Sequence, residues 1–406
     1  MLKKKVSLYV NILYLFLLQA VNYIGPLLIL PYLTRILSNE AFGNYILFVT
    51  AGQFLAIVVG LGFDLSAPRR VARKSSLNNS YYFTSVTLLK LLALTIFTFA
   101  FFQYNLYITH LGKWASISIF LTGLALTFTP IWFFLGLQKM GLITLSGVMT
   151  KLLFLVSVFI FVKDDTDQNL LYVMYALSFI IPSVFSMYIV RNQYKIEFKF
   201  SRKYLFLTLL DTLPFFNSRL AVSSYTVSSG LIIGTILGPI SLAAFAVAEK
   251  LYVAAQSLIY PITNSLYPYL SKTRDLDFAK KMLFLSVAIA VLGVFVGFTI
   301  SEKTIEIIFG SEYIESYKIL NVFILTLGFF FPSVILGYPV LAAFGHSNVT
   351  NRSVYVGLFS FVVMILLGIN GDFFSSIHVA RAVLMAELSV LCYRFYYFSK
   401  LFLVKR

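Results

Sequence analysis

The sequence predicts an all-α integral membrane protein of about twelve transmembrane helices in two six-helix lobes with a central cavity. Of its 406 residues, 59% are apolar and only 12% are charged, and the mean hydropathy is +0.88. Soluble domains are usually about 45–50% apolar and about 25% charged, because a water-exposed surface needs polar cover. A soluble enzyme, a disordered tail and a secreted disulfide scaffold are therefore excluded.

Apolar runs long enough to cross a bilayer recur along the whole chain. A spanning helix needs roughly 20 mostly apolar residues. The first run continues to Leu33, longer than the roughly 7–15 residues of a signal-peptide core, and is expected to remain as a helix. The predicted spans are 10–33, 44–63, 82–108, 116–137, 141–162, 170–190, 207–237, 241–263, 282–300, 319–342, 353–370 and 376–398.

Lysine and arginine fall mostly in alternate loops. With the N-terminus inside, the inner loops and ends hold 21 cations and the outer loops hold five. The five outer cations are Arg35, Lys113, Lys163, Lys303 and Lys318. Because cytoplasmic loops are enriched in Lys and Arg, this bias predicts a multi-pass protein with both termini in the cytoplasm.

The most basic loop, 191–203, lies almost at the midpoint. It divides the chain into a predicted N-terminal lobe, 1–200, and a predicted C-terminal lobe, 201–406. Six spans in each half give both halves the same orientation in the membrane. Glycine or proline interrupts several predicted spans, at Gly25-Pro26, Pro31, Pro214, Pro261, Pro332 and Pro339. Such residues either bend helices that open a cavity or belong to the ordinary composition of membrane helices.

Nine charges remain inside the spans, where each costs roughly 2.5–3.5 kcal/mol near a helix centre. They are Lys90, Lys151, Arg219, Lys250, Arg381, Arg394, Asp211, Glu249 and Glu387. Four of them lie near predicted span ends, where a long side chain can reach the interface: Lys90, Asp211, Arg381 and Arg394. Lys151, Arg219 and Lys250 lie close to mid-span, so they should face a water-filled cavity or a partner group.

The excess of interior cations favours a cavity that takes an anion, such as a phosphate or pyrophosphate, over structural ion pairs. An exporter of cations would be expected to show the opposite sign. The formal net charge of +16 indicates that the loops face an anionic membrane leaflet rather than nucleic acid. One cysteine and three scattered histidines predict no metal site, and no GxxxxGK[ST] phosphate loop is present.

Several motifs in order resemble one family. They read NYIGP at 22–26, PYLTRIL at 31–37, FG at 42–43, GFDLSAPR at 62–69, PIWFFLGLQKM at 130–140, AVAEKL at 246–251 and YP at 267–268. Together they are similar to the polysaccharide repeat-unit flippases of the Wzx type, also called O-antigen transporters. These share a superfamily with the MATE multidrug exporters and the lipid II flippases.

The resemblance implies a V-shaped bundle of two lobes with a cationic central cavity, and a transporter rather than an enzyme. The implied substrate is an oligosaccharide unit on undecaprenyl pyrophosphate, moved from the inner to the outer leaflet. No cofactor is implied beyond a proton or sodium gradient. The implied partners are the lipid bilayer, the polysaccharide polymerase and the chain-length proteins.

The residues expected to do this work fall into three groups. For the pyrophosphate we expect Lys151, Arg219 and Lys250, with Arg35, Lys90 and Arg381 as secondary contacts. For the sugars we expect Asn22, Tyr23 and Trp132. For ion coupling we expect Asp211, Glu249 or Glu387.

Two other functions compete with this one. A MATE-type exporter coupled to an ion gradient would use the same scaffold, but the first span lacks a carboxylate. A membrane-embedded glycosyl polymerase or ligase should carry a large periplasmic loop with catalytic Arg or His, and no predicted outer loop is long enough.

Overall fold

The computed structural model describes residues 2–71, 76–371 and 373–403, and these form α-helices with short 3-10 and π turns and no strand. The α-helices are α1 (Leu2–Ile36), α2 (Asn39–Gly60), α3 (Phe63–Val71), α4 (Ser76–Tyr104), α5 (Lys113–Phe128), α6 (Ile131–Gly136), α7 (Met140–Phe161), α8 (Gln168–Asn192), α9 (Arg202–Thr226), α10 (Ser228–Ile236), α11 (Pro239–Thr273), α12 (Leu276–Phe309), α13 (Tyr317–Ile335), α14 (Ser347–Asn370) and α15 (Ser376–Phe398). The predicted all-α membrane fold is confirmed.

Eleven helical segments in the described ranges are long and apolar enough to cross a membrane. Eleven of the twelve predicted spans overlap them, and the exception is 207–237. That stretch forms two helices, α9 and α10, which meet at Val227. The first of them carries Arg202, Lys203, Asp211 and Arg219 within 25 residues, so its sequence is much less apolar than the others.

Local signals in the sequence set several helix boundaries. Gly238, with φ +84°, precedes Pro239 at the first turn of α11, where a proline removes no helical hydrogen bond. The side chain of Asp275 accepts a hydrogen bond from the Phe278 amide at 2.9 Å and so caps α12. Ser38 and Ser375 cap α2 and α15 in the same way. These caps satisfy amides that the first turn of a helix leaves without partners.

The helices form two compact units. Unit 1 comprises residues 1–29 and 36–223, and unit 2 comprises residues 30–35 and 224–406, within the limits of the described ranges. Most of α9 therefore belongs to unit 1, and the last residues of α1 before Ile36 belong to unit 2. The division of the chain at 200/201 stays a prediction.

Unit 1 has an aromatic core near the ends of α3, α4 and α6. Trp132 is 2% exposed, and its ring centroid lies 5.8 Å from that of Tyr82 and 5.4 Å from that of Phe83. Phe133 packs edge-on against Phe83 at 5.8 Å. Aromatic pairs in such arrangements add about 0.5–1.5 kcal/mol each beyond the area that they bury.

In unit 2 the helix α13 ends in an irregular π turn, Leu336–Ala342. Gly337 has ψ −115°, and Pro332 and Pro339 lie on either side of it. The predicted interruption of this span is confirmed. By contrast α1, α9 and α11 continue as helices through Pro26, Pro214 and Pro261.

Candidate functional site

The six cations proposed to hold the pyrophosphate are divided between the two units. Lys90, Lys151 and Arg219 lie in unit 1, and Arg35, Lys250 and Arg381 lie in unit 2. Their surroundings differ widely, from full burial to an open helix face.

Lys90 does not reach the membrane interface. It is 6% exposed on α4, and its Nζ donates a hydrogen bond of 2.7 Å to the carbonyl of Leu126 on α5. An ammonium group buried between helices needs such acceptors, because lipid offers none. In this conformation Lys90 therefore ties two helices of unit 1 together.

Arg35 is exposed at the end of α1, where Nη2 donates to the carbonyl of Ile307 at 3.1 Å. Ile307 lies in the last turn of α12, whose carbonyls carry the negative end of the helix dipole. The contact is a cation at a helix C-terminus, and it leaves most of the guanidinium donors for other partners.

None of three further cations is fully buried. Arg219 and Arg381 are exposed on α9 and α15, and Lys151 is half-buried on α7. A guanidinium group on the surface of a span is stable only where water or an anion reaches it. Arg219 and Arg381 therefore require water or charged headgroups beside their helices.

Lys250 lies on α11 beside Glu249. Adjacent residues of a helix point about 100° apart, yet Lys250 Nζ is 3.7 Å from Glu249 Oε2. The long side chains bend towards each other, and each keeps 22% of its surface exposed. At this distance the pair attracts without forming a close hydrogen bond, so the ammonium donors remain available.

Polar residues continue from Lys250 along one face of α11. The next residues on this face follow at steps of seven, three, four and three, which is the spacing of a single helix face. They are Ser257, Tyr260, Asn264 and Tyr267. Asn264 is exposed, and Tyr260 and Tyr267 are each 41% exposed. We call these residues, with Lys250, the α11 polar face. At 1.5 Å per residue it extends over roughly 26 Å.

Two residues from other helices extend the α11 polar face. Tyr338, in the π turn, packs its ring edge-on against Tyr267 at 6.3 Å. Its hydroxyl donates to Asn351 Oδ1 of α14 at 2.9 Å. The result is a cation followed by phenol rings and amides, which can bind a phosphate at one end and hydroxyl-rich groups along the rest.

The prediction missed the aromatic and amide residues of this face. Lys250 was singled out for its charge, and Tyr267 only as part of a motif. The signal that could have found the others is the helical spacing of Ser257, Tyr260 and Asn264 from Lys250. Tyr338 and Asn351 come from distant parts of the chain, so sequence spacing could not place them there.

The three residues expected to contact sugars lie in different environments. Trp132 belongs to the aromatic core of unit 1, so the structure places it in packing rather than on a surface. Asn22 is half-buried on α1. The side chain of Tyr23 lies outside the described residues.

The three candidate carboxylates also differ. Asp211 on α9 pairs with Arg70 on α3, with Oδ2 2.6 Å from Nη1. Glu249 faces Lys250 as described above. Glu387 on α15 is 9% exposed and lies two turns before Arg394 on the same helix. No group of three or more His, Cys, Asp or Glu able to hold a metal ion occurs among the described residues.

Arg394 reaches neither lipid headgroups nor open water. It is 9% exposed, and its Nε donates to Ser353 Oγ at 2.9 Å while Nη1 donates to the Ser333 carbonyl at 2.8 Å. A Cβ added to Gly337 would lie 2.9 Å from the same Nη1. Arg394 thus fills the space beside the irregular turn and links α13, α14 and α15.

Two of the sequence motifs meet in unit 1. Gly62 has φ +72°, and a Cβ there would lie 2.7 Å from the amide nitrogen of Phe216, so glycine allows α9 to approach. Thr212 Oγ1 donates to the Leu61 carbonyl at 2.6 Å. Gly136 of the other motif leaves room in the same way for Val71 on α3. Both motifs therefore serve packing.

The candidate membrane-spanning helices and the charged side chains within them are those of a membrane translocase. The chain belongs to the family described as polysaccharide biosynthesis protein, which matches residues 8–274. The predicted resemblance to Wzx-type flippases is confirmed, and the family consists of transporters rather than catalysts.

Sequence relatives agree. The chain is 30% identical over 357 residues to a Shigella dysenteriae protein named "Putative O-antigen transporter", covering 86% of this chain and 89% of that one. It is 22% identical to the capsular polysaccharide biosynthesis protein CapF of Staphylococcus aureus, covering 97% and 99%.

Solved structures share the fold. The lipid II flippase MurJ in an inward closed conformation matches with a TM-score of 0.72 at 15% identity, covering 96% of this chain and 87% of that one. An outward-facing MATE multidrug transporter matches with a TM-score of 0.62 at 14% identity, covering 97% and 94%.

Proposed function

We propose that this protein moves oligosaccharide repeat units linked to undecaprenyl pyrophosphate from the cytoplasmic to the periplasmic leaflet by alternating access. The observation that carries the proposal is the α11 polar face. A cation, which is costly to expose to hydrocarbon, is followed there by phenol and amide groups that can exchange hydrogen bonds with a ligand. The names of the relatives, an O-antigen transporter and a lipid II flippase, support the same class of substrate.

Lys250 is the proposed pyrophosphate ligand on unit 2, because its ammonium donors are only loosely engaged by Glu249. Lys151 and Arg219 are the proposed ligands on unit 1. A diphosphate offers several charged oxygens, and hydrogen bonds to such groups are about twice as strong as neutral ones.

Arg35, Lys90 and Arg381 remain proposed secondary contacts. Arg381 is exposed, and Arg35 keeps donors beyond the one given to Ile307. Lys90 holds the Leu126 carbonyl with one of three ammonium protons. Because Lys90 is 6% exposed, it could take part only in a conformation that opens the contact between α4 and α5.

The sugars are proposed to lie along Tyr260, Asn264, Tyr267 and Tyr338. Tyrosine rings stack on the apolar faces of sugar rings, and amides exchange hydrogen bonds with their hydroxyls. Asn22 and Tyr23 of α1 stay proposed contacts.

A proton or sodium gradient is proposed as the energy source. Of the three candidate carboxylates, Glu387 is favoured because it is the least exposed, at 9% against 22% for the side chain of Glu249 and 63% for that of Asp211. The proposed location is the bacterial inner membrane, with both termini cytoplasmic, and the polysaccharide polymerase and chain-length proteins are proposed partners.

Replacing Lys250 tests the proposal. In proteoliposomes with a fluorescent lipid-linked oligosaccharide, Lys250→Ala should slow translocation at least about tenfold, the loss of one charge-assisted hydrogen bond. Lys250→Arg should retain most of the rate. Lys272→Ala removes an exposed cation from the last turn of the same helix and is the matched control.

An unchanged rate for Lys250→Ala would contradict the proposed role of the α11 polar face. Transport of a cationic dye but not of the lipid-linked oligosaccharide by the unmodified protein would instead identify a MATE-type exporter.

A further inference from the structure

The segment that joins α8 to α9 has an unusual surface. Residues 193–201 are not helical, and with the first turns of α9 they form what we call the mid-chain segment, 193–206. Phe198, Phe200 and Phe206 are 61%, 65% and 61% exposed in this segment. These rings lie in or beside a non-helical connection rather than on a candidate spanning helix, and an apolar side chain there gains energy by leaving water.

The backbone of the mid-chain segment is fixed to unit 1. The amide of Lys199 donates to Thr84 Oγ1 at 2.8 Å, and the amide of Glu197 donates to Ser80 Oγ at 3.3 Å. Ile196 is buried in the core of unit 1, and Phe198 packs edge-on against Phe83 at 6.1 Å. The exposed rings therefore cannot fold inwards.

The segment has an apolar edge and a charged edge. In extended backbone, alternate residues share a side. Ile196, Phe198 and Phe200 occupy one side and run from the core outwards, while Glu197 and Lys199 occupy the other.

The net charge of the segment is positive. It holds Lys195, Lys199, Arg202 and Lys203 against Glu197, which leaves +3. Lys199 Nζ lies 2.8 Å from Glu197 Oε2. This hydrogen bond lowers the pKa of Glu197 and raises that of Lys199. Both groups therefore stay ionised near neutral pH, and the charge is fixed.

We propose that the mid-chain segment binds anionic phospholipids, with Phe198, Phe200 and Phe206 among the acyl chains and the cations on the headgroups. The segment joins the end of one helix, α8, to the start of the next, so it lies where the bilayer meets water. Exposed aromatic rings beside lysine and arginine match that boundary, which is apolar on one side and anionic on the other. The inference does not depend on what the protein transports.

Spin labels test the position of the apolar edge. Cys392→Ser removes the single cysteine of the chain, and Phe200→Cys or Glu197→Cys then adds one label site. In liposomes of phosphatidylglycerol and phosphatidylethanolamine, the label at 200 should collide with oxygen, and the label at 197 with a water-soluble nickel complex. A label at 200 that collides with the nickel complex as often as that at 197 would overturn the proposal.

Bound lipid tests the charged edge. A variant with Lys195, Lys199, Arg202 and Lys203 changed to Gln should co-purify at least about threefold less phosphatidylglycerol. The control changes Lys272, Arg274, Lys280 and Lys281 to Gln, removing four cations where α11 ends and α12 begins. Equal lipid in the first variant and the unmodified protein, or an equal loss in the control, would overturn the proposal. Size-exclusion chromatography excludes misfolding as the cause of a lower lipid content. The spin-label experiment is independent of this variant, because it uses protein with all four cations intact.

Discussion

Lys250 and Arg394 are both cations in membrane-spanning helices of unit 2, yet they occupy opposite situations. Arg394 is buried and its donors are spent on Ser333 and Ser353. Lys250 is half-buried and is engaged only loosely by Glu249. Insertion costs both residues a similar free energy. What separates a structural charge from a candidate binding group is the use of its hydrogen-bond donors.

The largest effect is expected at Arg394. Arg394→Ala would leave the Ser333 carbonyl and the Ser353 hydroxyl buried without this donor, and should lower the free energy of unfolding by about 3 kcal/mol or more. Thermal unfolding in detergent measures the loss, and Lys250→Ala should show none. If the two variants unfold at the same temperature, the contrast between them is wrong.

A second large effect is expected at Gly62, where packing rather than charge is at stake. Gly62→Ala places a Cβ against the Phe216 amide at φ +72° and should cost about 2 kcal/mol. Gly60→Ala is the matched control, because no atom lies within 4 Å of the added Cβ. The same thermal assay checks both, and equal stabilities would mean that α9 does not need this approach.

A smaller effect on transport is expected along the α11 polar face. Tyr267→Ala should slow translocation of the lipid-linked oligosaccharide roughly threefold to tenfold, as expected for one lost aromatic contact, without lowering the unfolding temperature. Tyr269→Ala is the control, because Tyr269 points to another side of α11 and packs on Phe278. Equal transport by both variants would remove Tyr267 from the site.

The smallest effect is expected for the pair of Arg70 and Asp211. Although the two groups are 2.6 Å apart, the Asp211 side chain is 63% exposed. The coupling energy from a double-mutant cycle of Arg70→Ala and Asp211→Ala should therefore be below about 1 kcal/mol. A coupling energy as large as the stability lost in Arg394→Ala would show that this pair, like Arg394, holds the fold together.

The number and order of the spans were predictable because hydropathy reports directly on a run of about 20 residues. The exception, 207–237, shows the limit of the method. A window over this stretch averages the charged α9 with the apolar α10 and conceals the break at Val227. The boundary at Gly238-Pro239 was predictable, because both residues act locally.

The surroundings of individual side chains were not predictable. Lys90 and Arg394 lie near the predicted ends of their spans, and snorkelling was a reasonable alternative for both. Their acceptors, Leu126, Ser333 and Ser353, are 36, 61 and 41 residues away along the chain. Trp132 matched a family motif, but a motif does not distinguish packing from ligand contact. Only the folded chain shows where the donors and rings point.

The assignment of residues 202–223 to unit 1 and of 30–35 to unit 2 affects where chimeras of such proteins should be joined. A chimera joined in the basic loop at the midpoint would part α9 from α3, to which Thr212 and Asp211 tie it. Joining at 223/224 keeps those contacts in one parent. The donor of the first part would then also supply Leu30–Arg35, whose native neighbours, such as Ile307, come from the other parent. A chimera that exchanges substrate preference should therefore fold more often when residues 30–35 come from the same parent as residues 224–406.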